Sequence, residues 1–341
     1  MRQTERSASI DILKALATFA VPFVHGVLLV PFSPSAFDLR IADNLIGIIT
    51  LALHGSVPIF VFLWAYLLEK SILKKGNSDP MQRFYQLFVP FLFWSLLFFL
   101  INADFKTLTF VGFFTKHWTG YGWAGQYFLI LMFQFLLFFP LVSRLSRKLL
   151  HFIPHLYAAF LVFYLLLGYS GWFEIGIVAK INERLFIYWL PYVIFGILHA
   201  HKNIFRYVLP VWPSLFVIGL VPLEVAYLHP QHANEFILPS VYVANMLVLG
   251  AFMKKQISYK QLPAFLGYVV NILARNTLAI LCVSGLVILL MKPVVSALGL
   301  HFQFPGGVLI VPFVSGIFTT TISILIAEGF KRLRLGILVA N

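Results

Sequence analysis

Charge is what this sequence has least of. Of 341 residues only 11% are Asp, Glu, Lys or Arg, against roughly 25% in a soluble domain whose surface must face water. Charges so sparse cannot cover the surface of a water-soluble globule of this length. Cysteine is almost absent too: Cys282 is the only one and lies in an apolar run. That excludes a disulfide framework and a cysteine-based metal site. The chain has no glycine-rich phosphate loop and no dinucleotide fingerprint. It also lacks internal repeats, low-complexity stretches and any linker that would divide it, so a single domain over 1–341 is expected.

What the chain has instead is apolar and aromatic. Hydrophobic residues make up 60%, the mean hydropathy is +0.91, and there are 37 Phe and 14 Tyr. Aromatics of this kind pack against lipid and gather at its interfaces. The net charge of +13 does not point to nucleic acid, because the basic residues sit in short clusters between apolar runs, the pattern of membrane topology signals. A span needs about 20 mostly apolar residues. By that measure spans are predicted at 10–30, 45–68, 84–101, 123–142, 152–169, 184–200, 207–228, 236–252, 267–291 and 307–328. Arg275 interrupts the ninth, which puts its effective start near Asn276. The first run is followed by Pro31 and Pro34 and reads as a retained span rather than a cleaved leader.

Orientation follows from the basic residues. With the N-terminus in the cytoplasm and ten alternating spans, eighteen of the 25 Lys and Arg fall inside. Six fall outside (Arg40, Lys106, Lys116, Lys180, Arg184 and Lys292), and Arg275 is unassigned. The expectation is an all-α, polytopic integral membrane protein of about ten transmembrane helices. Both termini are expected in the cytoplasm, in a cell membrane of the bacterial inner-membrane type. The longest predicted connection, 102–122, is too short for an appended soluble domain.

Ionisable residues inside a span are costly and mark function by default. The first helix places Asp11, Lys14, Thr18 and His25 at steps of 3, 4 and 7, the spacing of one helical face. Lys14 and His25 point the same way and stand about 16 Å apart along the axis. Pro22 cannot donate to the carbonyl of Thr18, so that carbonyl opens on the same face. Such a face suits acyl transfer. A neutral imidazole can take a proton from an attacking hydroxyl or act as the nucleophile itself. A cation nearer the cytosol can hold a phosphate-bearing donor. The bland alternative is a snorkelling Lys14 and a His25 bonded to a neighbouring helix.

The same helix resembles the opening helix of the membrane-bound acyltransferase-3 family, whose motif there is R-x10-H. Here the motif reads Lys14-x10-His25, preceded by Ser9-Ile-Asp11. Further segments are similar in order: Ser56-Val-Pro-Ile-Phe60, Gln126-Tyr-Phe-Leu-Ile-Leu with Pro140, Tyr188-Trp-Leu-Pro-Tyr192-Val-Ile-Phe-Gly196, and Ala274-Arg275-Asn276-Thr277-Leu278. Lys14 stands where the family has Arg, and the family's R-x-x-R is reduced to Arg83-Phe-Tyr-Gln86. The resemblance implies transfer of a small acyl group, acetyl or succinyl, from a cytoplasmic acyl-CoA such as acetyl-CoA. The acceptor it implies is a hydroxyl of a carbohydrate, either a surface glycan or a lipid-linked sugar. No tightly bound cofactor, no metal and no nucleic acid are implied; the partners are donor, acceptor and membrane lipid.

On this reading His25 and Asp11 are the expected catalytic residues, and Lys14 and Arg83 the donor-binding ones. His54, Arg184 and Tyr188 are candidates for the acceptor side. His54, Arg83 and Arg184 also fit the bland roles of interfacial anchor and positive flank. Glu328 is expected to pair with the Lys331-Arg332 cluster, whereas Glu224 has three open readings, a partner for Arg275, an acid that orients a histidine, or the mark of a helix end. His199-Ala-His201 and His229-Pro-Gln-His232 have only loose metal spacing. The competing function is a glycan or lipid-linked sugar transporter, which ten spans suit as well; a catalytically inactive relative of the family is the third reading.

Overall fold

The computed structural model describes residues 8–27, 55–76, 80–102, 109–112, 126–168, 184–207, 239–254, 257–297 and 307–339. Within them the chain runs through α1 (Ala8–Val27), α2 (Ser56–Lys75), α3 (Pro80–Asn102), α4 (Gln126–Lys148), α5 (Ile153–Gly168) and α6 (Phe186–His201). It continues through α7 (Pro239–Lys254), α8 (Ala264–Arg275), α9 (Thr277–Ala297) and α10 (Gly307–Arg332). Short 3-10 turns occupy Ile204–Tyr207, Tyr259–Gln261 and Gly336–Val339.

Several helices present unbroken apolar faces to their surroundings. On α3, Leu92, Leu96 and Leu100 are exposed, and on α4 Leu137, Leu141 and Leu145 are exposed. Steps of four put each trio on one stripe. In water each such side chain would forgo about 1.5–3 kcal/mol of burial, whereas hydrocarbon solvates it. Six helices, α1, α2, α3, α4, α9 and α10, are long and apolar enough to cross a membrane, and α5, α6 and α8 are shorter apolar helices. The protein is an all-α, multi-pass membrane protein.

The predicted spans need adjusting in particular places. The second helix ends at Lys75 rather than 68, so Lys70 and Lys74 ride on it; Gly76, with φ 71°, stops it by donating its N–H to the carbonyl of Ile72. The fourth extends to Lys148, taking Arg144 and Arg147 with it. In both cases a basic last turn is favourable at the negative end of the helix dipole. The ninth span is two helices, broken at Asn276 as the charge at Arg275 suggests. The predicted seventh span, 207–228, lies outside the described residues apart from its first residue.

The chain forms two compact units. The first comprises Met1–Ala20, Phe37–Ser78 and Phe139–Ala274, the second Val21–Ala36, Asp79–Phe138 and Arg275–Asn341. In the first, α2 and α6 approach closely because Gly196 has no side chain: a Cβ there would lie 2.5 Å from the backbone oxygen of Phe62. In the second, Trp94, Phe98, Leu129, Cys282, Val283, Val287 and Val339 form one apolar core. The Trp94 indole N–H donates to the carbonyl of Leu338 at 2.9 Å, which fastens the last turn of the chain to α3.

Candidate functional site

Burial on α1 takes in most of its polar residues. Asp11 and Thr18 are fully buried, Pro22 is buried, and Lys14 and His25 are half-buried, while the apolar Leu16 is 50% exposed. The face that sequence spacing assembles is therefore the face turned into the protein. Leu13, Ala15, Ala17 and Ala20 are buried beside it, and an inward-facing polar set is how intramembrane ionisable groups are normally carried. The helix runs without interruption from Ala8 through Pro22 to Val27.

The start of α1 is held by a short strap. The N–H of Ala8 donates to the carbonyl of Ile257 at 3.0 Å, and the N–H of Ile257 donates to Ser9 Oγ at 2.8 Å. Ser258 and Gln261 form a capping box that rigidifies the turn between them. Tyr259, on that turn, donates its hydroxyl to Asp11 Oδ2 at 2.7 Å. Asp11 thus has a positional partner that no reading of α1 alone reveals.

The remaining expected residues lie elsewhere. Arg83 sits in the first turn of α3, half-buried, with no ion pair or hydrogen bond to a described residue. Gln86, one turn on, is exposed. Arg184 is half-buried just before α6. Tyr188, in the first turn of α6, is fully buried, and its ring meets that of Trp189 at 5.1 Å. His54, Glu224, His229 and His232 lie outside the described residues. Glu328 pairs with Lys331 at 2.6 Å, and the same ammonium donates to Asn276 Oδ1 at 2.8 Å, next to the break between α8 and α9.

One charged centre escaped the sequence reading. Glu69, near the end of α2, is fully buried. Its Oε2 accepts from Ser143 Oγ at 2.8 Å, and its Oε1 takes Arg147 Nε at 3.0 Å, Arg147 Nη2 at 2.8 Å and His201 Nε2 at 2.7 Å. These partners come from the ends of α4 and α6. Ser143 donates to the carboxylate and not to an imidazole, so the set is not a nucleophile relay of the Ser–His–acid kind. It is a joint that satisfies a buried charge while tying three helix ends. Beside it His199 is enclosed by the rings of Phe62, Tyr66 and Phe205 at 5.0–6.0 Å, and the Lys70 ammonium lies 5.0 Å from the Tyr66 ring centre. The signal available in sequence was an acid one residue before Lys70 in an apolar helix, masked by the basic flank that follows.

Comparison with known proteins agrees with the order of segments noted above. A family profile described as an acyltransferase domain matches residues 7–328. No curated protein and no solved structure matches the chain. With the match running from the strap-bound start of α1 to Glu328 near the end of α10, the chain belongs to the membrane-bound acyltransferase-3 family.

Proposed function

We propose that this acyltransferase moves a small acyl group, acetyl foremost, from a cytoplasmic acyl-CoA to a hydroxyl of a surface glycan or lipid-linked sugar. The observation that carries the reading is the inward-turned polar face of α1. With the basic helix ends on the cytoplasmic side, Lys14 lies towards the donor and His25 about 16 Å deeper. Lys14 and Arg83 offer positive charge to the donor phosphates. Asp11, one turn before Lys14, supplies the counter-charge that orients the ammonium. His25 removes the proton from the acceptor hydroxyl as its oxygen attacks the thioester carbonyl. The C–S bond breaks, the ester C–O bond forms, and the proton passes from the imidazole to the departing thiolate. In the relay variant the His25 nitrogen takes the acyl group and the CoA thiolate departs; the sugar oxygen then takes the acyl group as the N–C bond breaks, and its proton passes to the freed imidazole nitrogen. Both variants use the whole chain as one domain, with His54, Arg184 and Tyr188 on the acceptor side.

Reconstituted protein given labelled acetyl-CoA and a glycan acceptor tests this, together with mass spectrometry of surface glycans from cells with and without the intact gene. His25→Ala is expected to lower transfer by about 10²–10⁴-fold, the usual contribution of a positioned acid–base group. Lys14→Arg is expected to retain activity, and Lys14→Ala to raise the KM for the donor. Glycan acylation unaffected by His25→Ala would sink the reading.

A further inference from the structure

The chain carries one helix more than its crossings require. α8 has 12 residues, about 18 Å of rise, against a hydrocarbon core of about 30 Å. α9 supplies by itself an apolar run, Thr277–Val295, long enough to cross. The crossing expected over 267–291 is therefore made by α9, and α8 has to be accounted for otherwise.

Its residues sort into three sides. At about 100° per residue, the large apolar side chains Phe265, Leu266, Val269, Val270, Ile272 and Leu273 fall together. Ala264, Tyr268, Asn271 and Arg275 fall on a second side, and Gly267 and Ala274 on a third. The third side is the one that meets protein. Ala274 is buried, and a Cβ added at Gly267 would lie 3.7 Å from Tyr259 Cδ1, on the strap that holds the start of α1. A helix packed on a core would cover its apolar side. Here none of the six large apolar residues is buried, and Phe265 and Leu266 are 73% and 48% exposed.

Charge indicates what covers that side. Lys254 and Lys260 before α8 and Arg275 at its end are all exposed, so an apolar face is bracketed by cations. On the expected topology this segment is cytoplasmic, and the connections 76–79, 149–152 and 202–206 on the same side are too short to fold over it. An apolar face flanked by basic residues suits the headgroup boundary of an anionic leaflet, which takes up the side chains and pairs with the cations.

We infer that α8 is an in-plane anchor, lying along the cytoplasmic leaflet with its apolar side in the acyl chains and its basic flanks on anionic headgroups. It also moors the strap, since Ile257, Ser258 and Tyr259 lead directly into it. The inference goes beyond acyl transfer and takes only its sidedness from the charge bias. The test uses full-length protein in nanodiscs of phosphatidylcholine and phosphatidylglycerol, with no acyl donor. The only native cysteine, Cys282, is buried and is replaced by alanine. Single nitroxides are attached through Ala264→Cys, Phe265→Cys, Tyr268→Cys, Val269→Cys, Asn271→Cys and Ile272→Cys, and their access to oxygen and to a nickel chelate is measured.

Labels at 265, 269 and 272 are expected to favour oxygen, and those at 264, 268 and 271 the nickel chelate, with no drift in depth along the helix. A spanning helix would instead deepen by about 1.5 Å per residue. Six positions keep the pattern readable if one variant fails to fold. With a fluorophore at position 265, brominated phosphatidylglycerol should quench more than brominated phosphatidylcholine, by up to about fivefold for each basic residue in contact. Lys254→Gln combined with Lys260→Gln should reduce that excess. A steady drift in depth, exclusion of both reagents from all six positions, or equal quenching by the two lipids overturns the inference.

Discussion

In the first unit three helix ends converge on one buried carboxylate, Glu69, satisfied by Ser143, Arg147 and His201. In the second, the core around Trp94 and Cys282 is apolar, and the indole N–H reaches across it to the carbonyl of Leu338. Lipid explains why both devices occur. Between helices in hydrocarbon there is no water to expel, so burial alone gives little, and association rests on close contact and on polar bonds. The second unit takes the route of close contact. The first takes the polar route at its basic end and adds the close approach at Gly196.

The comparison breaks most visibly at Trp94. Trp94→Ala is expected to cost about 2–4 kcal/mol, somewhat below the 3–5 typical of such truncations in soluble cores. The lost term is dispersion contact and one hydrogen bond rather than transfer from water. Thermal unfolding in detergent measures it, and Trp94→Phe should recover most of the loss if close contact dominates. A Trp94→Phe variant as unstable as Trp94→Ala would mean that the Leu338 bond, not packing, holds this core.

In the first unit the matching test is Gly196→Ala. The added methyl would meet the Phe62 carbonyl oxygen, a backbone atom that cannot rotate away. Overpacking of this kind costs about 1–3 kcal/mol, and hydrogen exchange should rise in α2 and α6 while α9 and α10 stay protected. Equal loosening of α9 would show that the two units unfold as one. Glu69→Gln is smaller, about 1–2 kcal/mol. The amide still accepts from Ser143, and Arg147, whose side chain is 45% exposed, can turn its charge to solvent. Glu69→Ala should cost more than Glu69→Gln; the reverse order would mean that the joint is a liability rather than a support.

How much of this was legible in the sequence depends on the range of the interactions. The polar spacing of α1 was, because steps of 3, 4 and 7 are a local property of the sequence. The interruption at Asn276 and the Glu328–Lys331 pair, three residues apart, were legible for the same reason. Glu69 was not, since its partners lie 74, 78 and 132 residues away and its charge is lost in the basic flank that follows. Helix ends were misjudged where the lipid ends before the helix does, as at Lys70–Lys75. The burial of Tyr164, Tyr188, Tyr192 and Tyr242 on α5, α6 and α7 was hidden because tyrosine in a membrane sequence reads first as an interfacial belt.

The mildest test concerns how the second unit closes. After α10 the N–H of Leu335 reaches the carbonyl of Phe330 at 2.8 Å, and the N–H of Arg334 reaches that of Lys331 at 3.0 Å. This is the Schellman pattern, in which the residue at C′ takes a left-handed conformation and is usually glycine. Here it is Arg334, with φ 61°, a conformation that costs a residue with a Cβ about 1–2 kcal/mol. Glycine removes that strain but frees the unfolded chain, an opposing entropy of about 0.5–1 kcal/mol. The difference predicts that Arg334→Gly stabilises by up to about 1 kcal/mol, read as a small rise in Tm with the Trp94 environment unchanged. A fall in Tm would show that the arginine side chain, exposed though it is, contributes more than the turn it strains.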